Sequence, residues 1–439
     1  MEGASLNLVT KKNALNVLRS NTPVLISFYV LVFLIIIAVL APVIANEKPL
    51  YVSYKGNSLF PAFSFKKNLA IKTNDGEEIL QYSQVDWKKL NCDKIIFAPV
   101  AYSPSRPDYV NADYVSPNGE QFFTDSTGQQ VKIPVCFKHW LGTDKLGRDI
   151  LSGLIYGTRI SLLIGILSMA IAALIGILLG AIAGYFGDHE LKIARGKFWM
   201  VIAGLITGYF YAFQMRSFVL KDSLGNSTWL FLFQFLISLL IFMLVIILFY
   251  LAGKLLSGFS FFQKKVFIKT DSTVNRLIEI LNSLPILILV ISIAAISHPS
   301  LINLVLIIGL TFWTDIARLT RAEFLKLRNL EFIEAARALG YNRRRIIIRH
   351  VLPNGVAPAL IAIAFGIASA ILYESALSFL GIGVPQDIVT WGSLLANGRE
   401  NFNAWWLVIF PGCAIFITVT VFNIFGEGLR DALDPKLRK

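Results

Sequence analysis

Charge is scarce in this 439-residue chain: only 16% of its residues are Asp, Glu, Lys or Arg, against 55% hydrophobic. Mean hydropathy is +0.63. A soluble domain carries about 25% charged residues, so a water-soluble globule is excluded, and disorder with it. Cysteine is scarcer still, at 3 residues, which excludes a disulfide scaffold. Cys92 and Cys136 flank one polar region, where a pair and two free thiols both stay open. Cys413 sits in an apolar run and reads as packing. The 4 histidines are scattered without metal-ligand spacing. No P-loop, nucleophile-elbow or kinase sequence occurs. The chain therefore carries no nucleotide-binding or catalytic motif of its own.

What the chain has instead is long apolar runs. A helix needs about 20 apolar residues to cross a bilayer core. Eight runs qualify: Val24–Ala45, Ile160–Tyr185, Phe198–Met215, Trp229–Gly253, Leu281–Ser297, Leu301–Ala317, Val356–Leu380 and Ala404–Phe425. The first follows a basic N-terminal segment, 1–23, and ends in a sequence that resembles a signal-peptidase site. Its uncharged length exceeds the usual signal-peptide core, so a retained anchor is expected. The second run is rich in Gly, Ala and Ser, including Gly180 and Gly184, which predicts close helix packing. Residues 46–140 are polar, aromatic and full of turn formers. Segments such as Lys94–Val100 read as strands, so a small β-rich insert is expected there.

The net charge of +13 sets the orientation. With the N-terminus inside, segments 1–23, 187–198, 254–276, 315–350 and 427–439 are cytoplasmic, and their excess of Lys and Arg adds up to the whole +13. The largest share, +5, lies on 315–350. The basic balance is thus a topology signal and not a nucleic-acid footprint. The reverse orientation puts the entire excess on the wrong side.

The segment after the sixth run holds the most informative pattern. Glu331, Glu334-Ala335-Ala336, Arg337 and Gly340 are followed by His350, Leu352 and Pro353. This spacing resembles the EAA loop of ABC-importer permeases, and His350 fits the oligopeptide branch. Phe324 to Leu339 has helical composition. Gly340 suits a left-handed helix end. Arg343 to Ile348 is expected to start a second helix that Pro353 closes. Arg343, Arg344, Arg345 and Arg349 also offer contacts to lipid headgroups or to the ATPase that the resemblance implies. Without the spacing, the stretch would be no more than a basic amphipathic surface loop.

Two further blocks carry the same resemblance. Gly142-Thr-Asp144 through Leu146-Gly147-Arg148-Asp149 to Arg159-Ile-Ser161 is similar to the segment before the second core span of oligopeptide and dipeptide permeases. Asp144, Arg148, Asp149 and Arg159 are expected to pair at the membrane edge, as a structural cluster. Glu374-Ser-Ala-Leu-Ser378 through Gly426 to Asp434-Pro435 is similar to the C-terminal half of that family. The matches cover 142–187 and 272–435, about half the chain.

The resemblance implies an all-α polytopic membrane protein. Its type I ABC importer permease core would have six transmembrane helices, here with two extra helices and a small mixed or β-rich extracytoplasmic insert. The expected divisions are 1–23 cytoplasmic, 24–45 the first span, 46–157 outer insert and pre-span segment, and 158–187 the second span. An inserted pair of spans follows at 188–271, then the core at 272–430 with its coupling loop at 319–353, then a cytoplasmic tail at 431–439. An even number of added spans preserves the downstream orientation. The implied function is a non-catalytic permease subunit for oligopeptides or dipeptides in the bacterial inner membrane, with both termini cytoplasmic. Implied partners are a homologous second permease, two ABC ATPases that use ATP and magnesium, an extracytoplasmic binding protein and membrane lipid, with no nucleic acid. This chain itself would bind no cofactor and no metal. A nickel complex, glutathione or sugar is the alternative cargo. An ion-coupled carrier or an anchored sensor is the alternative class, but Glu374 has no symmetric partner, as a carrier would show, and a sensor would not need the EAA spacing.

Ser283, Pro285, Glu374 and Ser378 are the expected pathway or gate residues. A carboxylate at membrane depth faces the bundle interior or water, and for Glu374 a gate and a buried structural partner remain equal readings. Ser283-Leu284-Pro285 is expected to kink the fifth span. Glu279 is expected to pair with Arg276.

Overall fold

Asp149 decides where the longest helix begins. Its carboxylate accepts a hydrogen bond from the Ser152 backbone N–H at 2.7 Å, an N-cap that satisfies an otherwise orphaned donor. Helix α2 therefore starts at Ile150, before the uncharged run, and continues to Phe186. The computed structural model describes residues 21–54, 56–64, 68–73, 76–81, 85, 87–88, 93–124, 128–226, 228–385 and 387–433. Helix α1 is Thr22–Ile44, with Pro23 in its first turn, where a missing N–H costs nothing.

The remaining helices, apart from Ser217–Asn226 and single-turn pieces, follow in order. Helix α3 is Arg195–Tyr209, and α4 is Thr228–Leu256. Helices α5 and α6 are Thr270–Asn282 and Ile286–Ile296. Helices α7 and α8 are Leu301–Thr311 and Trp313–Leu327, and α9 is Glu331–Ala338. Last come α10, Ala357–Phe379, α11, Trp391–Asn397, and α12, Trp406–Leu433. Seven helical stretches are long and apolar enough to cross a membrane, or eight if the bent α5–α6 pair is one span.

The fifth expected span is the one that differs. Residues 270–296 bend by 79° between α5 and α6. Helix α6 has 11 residues, about 16 Å of rise, roughly half a hydrocarbon core. The cause is Ser283-Leu284-Pro285, where proline denies the helix a donor. Helix α5 is amphipathic: Val274 and Ile278 are buried while Arg276 and Glu279 are exposed and 3.8 Å apart. The sixth span is longer than expected. It continues through a one-residue break in the helix at Phe312 to Leu327.

Helix α2 is the hub, touching α1, α5, α7, α8, α10, α11 and α12. Its glycine stripe permits the closest crossing. A Cβ on Gly180 would lie 2.5 Å from the Ala317 carbonyl oxygen, and one on Gly184 would lie 2.5 Å from that of Arg321. Around this crossing Ile164, Met169, Ala172, Ile308, Ile316 and Ala317 form a buried core. Outward-facing Leu, Ile and Phe side chains on α1, α2 and α4 suit hydrocarbon.

The two extra spans form an antiparallel hairpin whose extensive contacts are internal to the insertion. Gly204 lies against Phe249, and Gly208 against Phe242. The hairpin's two ends are tied by a short ribbon, β8 (Lys192–Ala194) against β9 (Lys265–Phe267). Ser272 N–H also donates to Asp188 at 2.9 Å. This closure lets 188–271 be inserted without displacing α2 or α5.

Seven further strands precede α2, in small antiparallel pairings. β1 (Tyr51–Tyr54) lies between β2 (Asn57–Leu59) and β5 (Lys94–Ile96). β3 (Asn68–Thr73) pairs with β4 (Gly76–Gln81), and β6 (Phe122–Thr124) with β7 (Gln130–Lys132). Val52, Leu59 and Trp87 form a small buried core beneath the first sheet. Cys136 is a free, exposed thiol, and Cys92 lies outside the described residues. Cys413 is also exposed; it points out of the bundle and does not pack inside it.

Candidate functional site

The coupling-loop residues are gathered on one knob below α8. Helix α9 carries Glu331 and Glu334 in its first turn and Arg337 in its last, the charge order that the helix dipole favours. Ile333 and Ala336 are buried against Phe324 and Leu327 of α8 and Tyr185 at the end of α2. Glu331, Glu334 and Ala335 face away and are exposed; Arg337 is exposed too but leans over the Tyr185 ring, 5.5 Å from its centre. With them lie the apolar Phe332 and Leu339, the latter 72% exposed. The knob is thus fastened on one side and bare on the other.

Gly340 ends α9. Its φ is 75°. The Gly340 N–H donates to the Arg337 carbonyl, and that of Tyr341 donates to the Ala336 carbonyl, at 2.9 and 3.2 Å. This double bond pattern is a Schellman cap, which favours glycine at the left-handed position. The second element differs from expectation. Pro353 closes nothing: helical turns continue from Arg343 to Gly355, with a wider π turn over Ile347–Val351. Pro353 cannot donate to the carbonyl four residues back, and the wider turn before it absorbs that loss. His350 stacks near Tyr341 at 6.3 Å, and Leu352 packs against the buried cluster. Glu190, in the loop after α2, faces Arg337 and Arg343 at 3.9 and 4.0 Å.

The membrane-edge charges do not form one cluster. Arg148 Nε donates to Asp144 Oδ2 at 2.7 Å. Asp149 pairs with His139 at 2.9 Å. Arg159 is exposed, ten residues further along α2, about 15 Å away by helical rise, and makes no ion pair among the described residues. Sequence reading missed His139, which is fully buried. Its other nitrogen meets Asp108 at 3.2 Å. Burial works against the charged imidazole, but hydrogen bonds to Asp108 and Asp149 outweigh it and raise the His139 pKa. For Asp108 burial works upward, and the hydrogen bonds with His139 and Asn111 prevail and lower its pKa. On the same face, Lys145 and Glu400 meet at 3.1 Å.

The four expected pathway residues divide into two places. Ser283 and Pro285 are exposed at the α5–α6 bend. Glu374 is fully buried in α10 and accepts hydrogen bonds from Ser378 and Ser161 at 2.8 and 3.1 Å. Between the α2 start and α11, a cavity of about 400 Å³ is lined by Arg148, Asp149, Ser378, Ser393 and Glu400. A second, of about 410 Å³, is lined by Met169, Asp315, Arg318, Phe365 and Ser369. Asp315 and Arg318 form an ion pair on α8. They lie at and just beyond the end of the sixth apolar run, where their three-residue spacing on a continuing helix is the signal in the sequence. Among the described residues no group of His, Cys, Asp and Glu is placed to hold a metal.

A multi-pass helical bundle with a fastened knob beyond its sixth span, and buried polar groups between its helices, defines a transport-type membrane protein. The chain belongs to the family of binding-protein-dependent transport system inner membrane components, which match residues 257–439. Residues 12–61 match the N-terminal transmembrane domain of oligopeptide transport permease C. The dipeptide transport system permease DppC of Alkalihalophilus pseudofirmus is 31% identical over 302 residues, 69% of this chain and 73% of that one. The di/tripeptide permease DppC of Pseudomonas aeruginosa is 33% identical over 299 residues, 68% and 72% of the two chains. The oligopeptide permease OppC of Escherichia coli is 40% identical over 171 residues, 39% of this chain and 57% of that one. Several Brucella relatives are likewise matched over 57% of their own length. Among solved structures, the inward-facing MetNI methionine ABC transporter gives a TM-score of 0.41 at 14% identity, covering 65% of this chain and 98% of that one.

Proposed function

We propose that the chain is the permease subunit of an ATP-driven importer for oligopeptides or dipeptides, with both termini cytoplasmic. The observation that carries this reading is the knob at 331–340. Its inner face, Ile333 and Ala336, is locked to α8 and α2. Its outer face is a bare ridge of Phe332, Ala335 and Leu339 edged by Glu331 and Glu334. Such a ridge suits the groove of an ATPase, and a push on it reaches α8 and α2 as rigid elements. A homologous second permease completes the path, two ATPases bind ATP and magnesium, and an outer binding protein delivers cargo. The names of the relatives support peptides as that cargo.

The test is reconstitution in vesicles with the second permease, the two ATPases and the binding protein. Labelled tripeptide uptake is expected to need ATP. Uptake by this chain alone, driven by an ion gradient without ATP, overturns the reading. Uptake of a nickel complex, glutathione or sugar with no peptide uptake replaces the cargo and leaves the coupling intact.

A further inference from the structure

The outer insert holds a cavity of about 210 Å³ that the transport reading does not use. Glu47, Trp87, Lys88, Tyr102, Arg106 and Asp108 are among its walls. Glu47 Oε1 pairs with Arg106 Nη1 at 3.1 Å. Its other oxygen, Oε2, is buried and has no hydrogen-bond partner among the described residues. A buried carboxylate oxygen without a donor is costly, and a ligand N–H would relieve that cost. The aromatic walls, Trp87 and Tyr102, are almost wholly buried. Lys88 Nζ already lies 3.4 Å from the centre of the Tyr102 ring, so this wall accepts a cation.

We propose that this cavity binds a small zwitterion with a free α-ammonium and a free carboxylate, of amino-acid or dipeptide size. Glu47 Oε2, aided by Asp108, takes the ammonium. Arg106 and Lys88 take the carboxylate, and the aromatic walls hold the part between. The volume of about 210 Å³ is below the roughly 300–1,000 Å³ of sites for drug-sized ligands, which suits a ligand of amino-acid or dipeptide size. The site stands at the outer ends of two spans. Glu47 lies two residues after Ala45, the cap of α1. Asp108 is joined through His139 to Asp149, the cap of α2.

The test is equilibrium binding of labelled alanine and of Ala-Ala to the purified full chain in lipid nanodiscs. Saturable binding of at least one is expected, and the tighter of the two identifies the natural source. Glu47→Gln is expected to weaken it at least tenfold. A second measurement on the unaltered protein needs no variant to fold: N-acetylated, C-amidated Ala-Ala is expected to bind at least tenfold more weakly than Ala-Ala. No saturable binding, equal affinity in Glu47→Gln, or equal affinity for the blocked peptide overturns the proposal. Its failure leaves peptide import untouched, because that reading rests on residues 331–340.

Discussion

His139 Nδ1 meets Asp149 Oδ1 at 2.9 Å with both side chains buried, and the other oxygen of Asp149 caps α2. One carboxylate thus fixes both the fold of the segment before α2 and the start of that central helix.

The pH dependence follows from the direction of the shift. The His139 pKa is raised above its usual value of 6.5, since Asp108 and Asp149 outweigh burial. Its contribution to stability is present in full below about pH 6.5 and is lost as pH climbs through the higher folded-state value. The carboxyl of Asp108 is lowered, so its share is lost only as pH falls through that depressed value. The unaltered chain is expected to melt at a lower temperature in mildly alkaline buffer than at pH 6. His139→Ala leaves two buried or half-buried carboxylates without their partner and is expected to cost about 3 kcal/mol at pH 6. It should also flatten the alkaline side of the profile. Thermal melts in detergent across pH 5 to 9 decide this; an unchanged profile in His139→Ala would refute it.

The glycine stripe of α2 gives a packing prediction. A Cβ on Gly180 would lie 2.5 Å from the Ala317 carbonyl oxygen and 2.8 Å from the Thr320 Cβ. Gly180→Leu must part α2 from α8, and overpacking of this kind costs about 1–3 kcal/mol or more. A Cβ on Gly412 meets nothing within 4 Å. Gly412→Ala is expected to stabilise by about 0.5–1 kcal/mol, the usual gain in a helix interior. Parallel melts of the two variants should move in opposite directions.

Most spans were legible in the sequence because about 20 apolar residues in a row have few other uses. Asp149 pushed the α2 start earlier than hydropathy suggested, since a cap acts on polar residues that hydropathy discards. Ser283-Leu284-Pro285 marked a kink, but a 79° bend depends on what α5 and α6 each pack against. The 331–353 loop was legible because its spacing is local: Gly340 ends a helix wherever it stands with those neighbours. The His139 site was not, because Asp108 lies 31 residues earlier in irregular chain with no period to connect them. Arg159 misled for the opposite reason, since nearness in sequence to Asp149 becomes distance along a helix.

Gly340 separates folding of the knob from its use. With φ at 75° and open space around it, Gly340→Ala pays only the left-handed backbone cost of about 1–2 kcal/mol. Uptake should be reduced but measurable. Gly340→Pro fixes φ near −65° and deletes the N–H that bonds to Arg337. The expected result is loss of ATP-driven uptake with normal membrane insertion and normal melting of the spans. Full uptake by Gly340→Pro would show that the shape of the knob does not matter for coupling.

Glu374 can be resolved between a gate and a structural partner. Its carboxyl accepts hydrogen bonds from Ser378 on its own helix and from Ser161 on α2, and its side chain is wholly buried. This arrangement ties α10 to α2 and favours the structural role. Glu374→Gln keeps an acceptor oxygen and nearly the same volume, so one hydroxyl bond survives and the helices stay joined. Uptake is expected to stay within about twofold of the unaltered chain, because no step of transport then depends on the carboxyl itself. Glu374→Leu takes the acceptor from the Ser161, Ser375 and Ser378 hydroxyls and is expected to cost about 1–3 kcal/mol, with uptake falling in step with the melting temperature. The two variants together make the distinction. A gate carboxyl would show the reverse of the expected Gln result, an unchanged melt with uptake abolished, and that outcome would place Glu374 in the path.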